Sequence, residues 1–179
     1  MNSAINESQM LKLLAISIVD NPRSTIKELG ESVGISKATL HRFCGTRDNL
    51  DKMLKEKAYE SLNSLKDIAD NNYTDYLEGL AILTQAHNDN KEYLRYICAM
   101  KSHEDESLCR PYFKAMDSFF LRGQKAGVFK IEFGVSVLTE IYVMVLCGII
   151  DAERRGRVAP NGILEMLENL FLYGVLNKN

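Results

Sequence analysis

Ser36, Lys37, Thr39, His41 and Arg42 follow one another closely, with Thr25 upstream and Arg47 just beyond. An ammonium, two guanidiniums, an imidazole and three hydroxyls can hydrogen-bond to phosphates or base edges. Lys37, Thr39 and Arg42 are the candidates for base edges, Arg42 above all where it meets a guanine. Catalysis would need other groups. No G-x-S-x-G, phosphate loop or metal-ligand spacing accompanies the set, so an enzyme is not expected. Between Pro22 and Arg47 five basic residues face two acidic ones, a local +3 in a chain of net charge −2. Phosphate attraction acts within about a Debye length, roughly 8 Å at physiological salt, so the local sign matters more than the total.

These donors need a scaffold, and the surrounding residues supply one. Thr25 and Glu28 are spaced as a capping box, which predicts a helix beginning near Ile26. Ile26, Leu29 and Val33 recur on one face, while Lys27, Glu28 and Glu31 face water. Gly34 stops the helix, Ile35 plugs the corner and Ser36 caps the next helix. Leu40, with Phe43 or Cys44, returns to the same small core, and Gly30 is the small residue at the crossing. Two short helices in an ordinary all-α core could share part of this pattern. Apolar residues at Leu29, Val33, Ile35, Leu40 and Phe43, with glycines at 30 and 34, instead match a helix-turn-helix that presents its second helix to the major groove of DNA.

GISKATLHRFCGTRDNL resembles, without a gap, the signature of the TetR/AcrR family of bacterial transcriptional regulators. Gly34, Ile35, Ser36, Thr39, Leu40, Asp48 and Leu50 fit it, as does Arg47 in place of Lys. His41 stands where the family has Tyr, Phe43 where it often has His, and Cys44 where it has Phe. The last change removes bulk from a core position, and an inward turn of Phe43 is the expected offset. The resemblance covers about the first third of the chain. It implies that Thr25 and Arg47, each at a helix start, bind phosphates. It also implies an all-α fold, with a three-helix DNA-binding domain over residues 1–48 and a larger helical effector-binding and dimerisation domain over 49–179.

The remaining pattern is helical. A first helix is predicted over about 8–19 and a long one from Thr46 to Asp70; others lie near 73–88, 91–103, 108–125, 134–155 and 160–176. Phe129, Ile131 and Phe133 alternate with charges but lack a partner strand, so an extended connector is expected. His103-Glu104-Asp105-Glu106 reads as a solvated loop. The apolar run from Phe133 to Ile150 approaches the length of a membrane span, but Glu140, Ser136 and Thr139 interrupt it. A helix apolar nearly all round is more simply buried against its own domain and a second copy. On it Val135, Leu138, Tyr142, Val145 and Ile149 form one stripe, with Val137, Ile141, Met144 and Gly148 to the side. The last helix offers Ile163, Leu167, Leu170 and Gly174. A homodimer through these two closing helices is expected, since such readers use two-fold symmetry on a palindromic operator.

Tyr96, Met100, Phe113, Met116, Phe120 and Tyr142 are candidates to line an effector cavity, or to form plain core. Glu140 would need a cation, a subunit contact or a charged ligand. Cys44, Cys98, Cys109 and Cys147 show no C-x-x-C pair, and no cleavable leader is visible, so reduced thiols in the cytoplasm are expected. A zinc site would require His87, Cys98, His103 and Cys109 to converge at a spacing that matches no metal motif; no metal and no cofactor are expected. The expected function is a DNA-binding repressor released by an unknown small molecule. The alternative is a DNA-bound adaptor or structural protein without a ligand.

Overall fold

In the computed structural model, which describes residues 6–99, 103–159 and 163–175, the chain is all-α. Nine helices lie among the described residues: α1 (Glu7–Asp20), α2 (Ile26–Ser32), α3 (Lys37–Cys44), α4 (Arg47–Asp70), α5 (Tyr76–Asp89), α6 (Lys91–Ala99), α7 (His103–Lys125), α8 (Val135–Arg154) and α9 (Ile163–Val175). Local chemistry starts several of them. Asn6 caps α1 by accepting from the Gln9 amide at 2.7 Å, and Asp75 precedes α5 by accepting from the Leu77 amide at 2.8 Å.

The chain packs as two compact units, one from Met1–Ser61 with Asn90–Ser107, the other from Leu62–Asp89 with Leu108–Asn179. In the first, α1 buries Met10, Leu11, Leu14, Ala15 and Ile18 and packs on α6, which buries Tyr93, Leu94, Tyr96 and Ile97. Lys12–Glu92 at 3.4 Å and Arg95–Asp20 at 3.5 Å bridge the same two helices. Partly exposed ion pairs contribute up to about 1 kcal/mol each, whereas each buried leucine contributes about 1.5–3 kcal/mol. The apolar seam is therefore the stronger bond. Leu50, Leu54 and Ala58 of α4 complete this core. Compactness thus groups α6 with the first three helices, which a cut at residue 48 does not describe.

The second unit is built around aromatic rings. Phe119, Phe120, Phe129, Tyr142 and Phe171 are buried and meet edge-on or tilted, with centroid separations such as 5.4 Å for Phe120–Phe129 and 5.5 Å for Tyr142–Phe171. Thr84 donates its one hydroxyl proton to the Leu80 carbonyl, so at 3.1 Å it must accept from the Tyr142 hydroxyl. Arg122 reaches the Ala69 and Asn71 carbonyls at the end of α4, where a cation complements the helix dipole. Residues 126–134 form an irregular connector, held by the Gln124 amide donating to the Lys130 and Phe133 carbonyls at 2.7 and 2.8 Å.

Several boundaries differ from the sequence reading. His103–Glu106 lies within α7 rather than in a loop. Pro160, expected to open the last helix, lies outside the described residues. By length and a mean hydropathy of 1.9, α8 could cross a membrane. Its Leu138, Tyr142, Leu146 and Ile150 instead belong to the core of the second unit. The buried stripe of α8 thus passes through Leu146 and Ile150, not Val145 and Ile149, which are only half-buried.

Candidate nucleic-acid interface

The capping box forms as the spacing predicts. The Thr25 hydroxyl oxygen accepts from the Glu28 amide at 3.3 Å, and the Glu28 carboxylate accepts from the Thr25 amide at 2.7 Å and its hydroxyl at 2.9 Å. These bonds hold the Glu28 carboxyl below the usual carboxylate range. Gly34 then takes φ +77°, a left-handed turn that glycine adopts without strain, and the Ile35 amide returns to the Gly30 carbonyl at 2.9 Å. Ser36 caps α3 by accepting from the Thr39 amide at 3.1 Å, while the two hydroxyls bond at 2.9 Å.

The crossing of α2 and α3 depends on Gly30. A Cβ there would stand 3.0 Å from the Ile35 carbonyl oxygen, a backbone atom that cannot swing aside. Gly30→Val is expected to destabilise the protein by roughly 1–3 kcal/mol, the usual cost of overpacking. Chemical denaturation checks this; an unchanged midpoint would show that the two helices do not need to approach so closely.

On this frame α3 buries Leu40 and Cys44 and leaves Lys37, Ala38, His41 and Arg42 exposed. Thr39 is half-buried, and with Ser36, Lys37, Ala38, His41 and Arg42 it lines an open recess on the surface. Cys44 occupies the core position itself, its thiol donating to the Leu40 carbonyl at 3.3 Å and its pKa raised by burial. Phe43 stays only part-buried, so the expected inward turn does not occur. An aromatic ring is not needed because the smaller sulfur side chain settles against its own helix.

Arg47 is placed differently from a free phosphate ligand. Its Nε donates to both Asp51 carboxylate oxygens at 3.1 and 3.2 Å, Nη1 to the Ser24 carbonyl at 2.7 Å and Nη2 to the Pro22 carbonyl at 3.3 Å. Asn49, which the sequence reading missed, donates to the Cys44 carbonyl at 2.7 Å and so closes the end of α3. The i,i+4 spacing of Arg47 and Asp51 was a visible signal for the first pair. Nothing local announced the carbonyl partners, which lie 23 and 25 residues away.

The residues considered for an effector come from both compact units. Tyr96 belongs to the first unit, buried, with its hydroxyl 3.3 Å from the Asp51 carbonyl; Met100 lies outside the described residues. Met116, Phe120 and Tyr142 are fully buried in the second unit, Phe113 is half-buried and Glu140 is exposed. Within a single chain Glu140 is thus not a buried charge. Of the residues weighed for zinc, Cys98 is exposed, Cys109 is buried and His87 is engaged by other groups. His87 Nδ1 donates to the Leu83 carbonyl at 2.6 Å, which leaves Nε2 to accept from the Tyr112 hydroxyl at 2.7 Å. The His103 side chain lies outside the described residues.

No family model matches the chain. Among solved structures, MbdR of Azoarcus sp. CIB superposes with a TM-score of 0.73 at 15% identity, covering 94% of this chain and 97% of that one. PfmR of Thermus thermophilus, a TetR family transcriptional regulator, gives 0.66 at 19% identity, covering 92% and 97%. These likenesses establish the fold. The HTH-type transcriptional regulator NfxB of Pseudomonas aeruginosa is 41% identical over 178 residues, spanning 96% of this chain and 95% of the relative. The chain belongs to the family of HTH-type transcriptional regulators that includes NfxB. It is accordingly a DNA-binding transcriptional regulator, with the all-α fold of TetR-type proteins and their N-terminal helix-turn-helix.

Proposed function

We propose that this regulator is a repressor that binds a palindromic operator as a homodimer in the cytoplasm and leaves it when a small molecule binds. The observation that carries the DNA reading is the exposed donor face of α3 on a fully capped helix-turn-helix. Lys37, Thr39 and Arg42 read base edges, while Thr25, Ser36 and His41 meet the backbone. Residues 1–48 carry the reading, and effector binding and dimerisation fall within 49–179. Selection of duplexes from a random-sequence library tests this directly. An enriched palindrome is the expected result; recovery of no enriched sequence would remove the proposal.

Arg42→Ala is expected to weaken binding to the selected duplex by roughly 5- to 150-fold and to relax the preference at one base pair per half-site. Fluorescence anisotropy on duplexes varied at each position measures both effects. A uniform loss across all sequences would instead make Arg42 a phosphate contact.

Dimerisation through α8 and α9 is supported by the apolar residues they leave in water. Val137, Ile141 and Met144 on α8 and Met166, Leu170 and Tyr173 on α9 are exposed, Tyr173 at 79%. Of the expected flank on the last helix, Leu170 and Gly174 are exposed, while Leu167 turns into the core. An effector in the second unit is supported by Thr139, whose hydroxyl oxygen is buried without a hydrogen-bond partner among the described residues. Phe113, Met116, Phe120 and Tyr142 are its candidate neighbours, and displacement of α4 is the proposed route of release. The close ring contacts of Phe120 with Tyr142 and Phe171, at 6.0 and 5.7 Å, favour the alternative of an adaptor with no ligand. Screening small molecules for a rise in melting temperature coupled to loss of DNA binding separates the two.

A further inference from the structure

We infer that Arg47 is a positioning residue: with Asp51 and Tyr96 it clasps the turn before α2 and so sets where the start of that helix meets DNA. Three of the five guanidinium donors are already committed, one to the Asp51 carboxylate and two to the carbonyls of Pro22 and Ser24. Those carbonyls immediately precede Thr25, the N-cap of α2. Asp51 is in turn approached by the Tyr96 hydroxyl, 3.3 Å from its carbonyl and 3.4 Å from its carboxylate. The chain of bonds therefore runs from α6 through α4 to the turn Pro22–Ser24, all inside the first compact unit.

Charge and shape both favour this role. A phosphate would have to compete with Asp51 for the same cation, and the Arg47–Asp51 pair presents little net charge to DNA. The planar fork of arginine meets separated acceptors at once, whereas a lysine ammonium is a single point. The side chain is also held in, only 24% exposed.

The inference rests on the DNA reading proposed above, so its first readout needs no DNA. Amide hydrogen exchange in the free protein should quicken at least about tenfold at Thr25–Glu28 in Arg47→Lys and in Asp51→Asn, since each removes at least one charge-assisted hydrogen bond. The second readout is anisotropy on the duplex selected by the wild-type protein, across a salt series. Arg47→Lys keeps the charge and should still lose about tenfold in affinity, equivalent to one such bond. Asp51→Asn removes a negative charge near DNA and should nevertheless weaken binding, with the slope of log K against log salt unchanged. A phosphate ligand behaves oppositely: Arg47→Lys would bind as wild type, Asp51→Asn would bind more tightly, and Arg47→Ala would flatten the slope by about 0.9. Any of these three results, or unchanged exchange in both variants, overturns the inference. If selection yields no duplex, the DNA reading fails while the exchange measurement still decides the clasp.

Discussion

A chain carrying Met144→Glu and Leu170→Glu is expected to sediment as a monomer and to lose about 10²- to 10⁴-fold in operator affinity, the gain that joining two binding modules provides. Both side chains are 65% exposed, so the substitutions leave the packed core of the second unit untouched. On α8 the exposed positions 137, 141, 144 and 148 step by four, three and four, and on α9 positions 166, 170 and 173 step by four and three. That is the spacing of a seam between helices. Two copies meeting on it would bury the apolar stripes in a four-helix arrangement, and each introduced carboxylate would then be desolvated opposite its symmetry mate. Analytical ultracentrifugation reads the mass, and anisotropy the binding. An unaltered melting temperature shows that the monomer is folded; a persisting dimer would place the interface elsewhere.

Acid is expected to unfold the second unit through His87. Burial pushes its pKa down from 6.5 to about 4, the backbone bond to Leu83 opposing this only in part. The unfolded chain therefore takes up the proton first. Stability is complete above about pH 6.5 and falls progressively as pH drops toward 4, by about 3 kcal/mol in all. The structure also says why the folded imidazole resists a second proton: Nδ1 already donates to Leu83 and Nε2 is occupied as an acceptor by Tyr112. Glu28 and Asp151, both held below the usual carboxylate range, lose their contribution only at lower pH. Urea denaturation of wild type and His87→Gln between about pH 7 and pH 4.5 isolates the effect. The variant should be less stable at neutral pH and much flatter with acid. Equal slopes in the two proteins would mean that other groups carry the acid sensitivity.

The reading head was legible because its determinants are neighbours in the chain. Thr25 with Glu28 and Ser36 with Thr39 lie three residues apart and bond across that gap, so the residue types alone place two helix starts. Gly34 marks the turn for the same local reason, and Leu40 with Cys44 keeps helical spacing. The family resemblance lay in this segment too. What tertiary structure decided was the partner of each polar group and the face each long helix turns inward. Arg47 looked like a free cation until the chain brought the Pro22 and Ser24 carbonyls to it; Glu140 looked stranded in an apolar helix until the packing of α8 left it exposed within the single chain. His87 found Tyr112 across 25 residues, and Tyr96 found Asp51 across 45. Spacing of three or four residues fixes geometry through the helix itself, while contacts across tens of residues depend on how whole helices pack, and no short stretch of sequence encodes that.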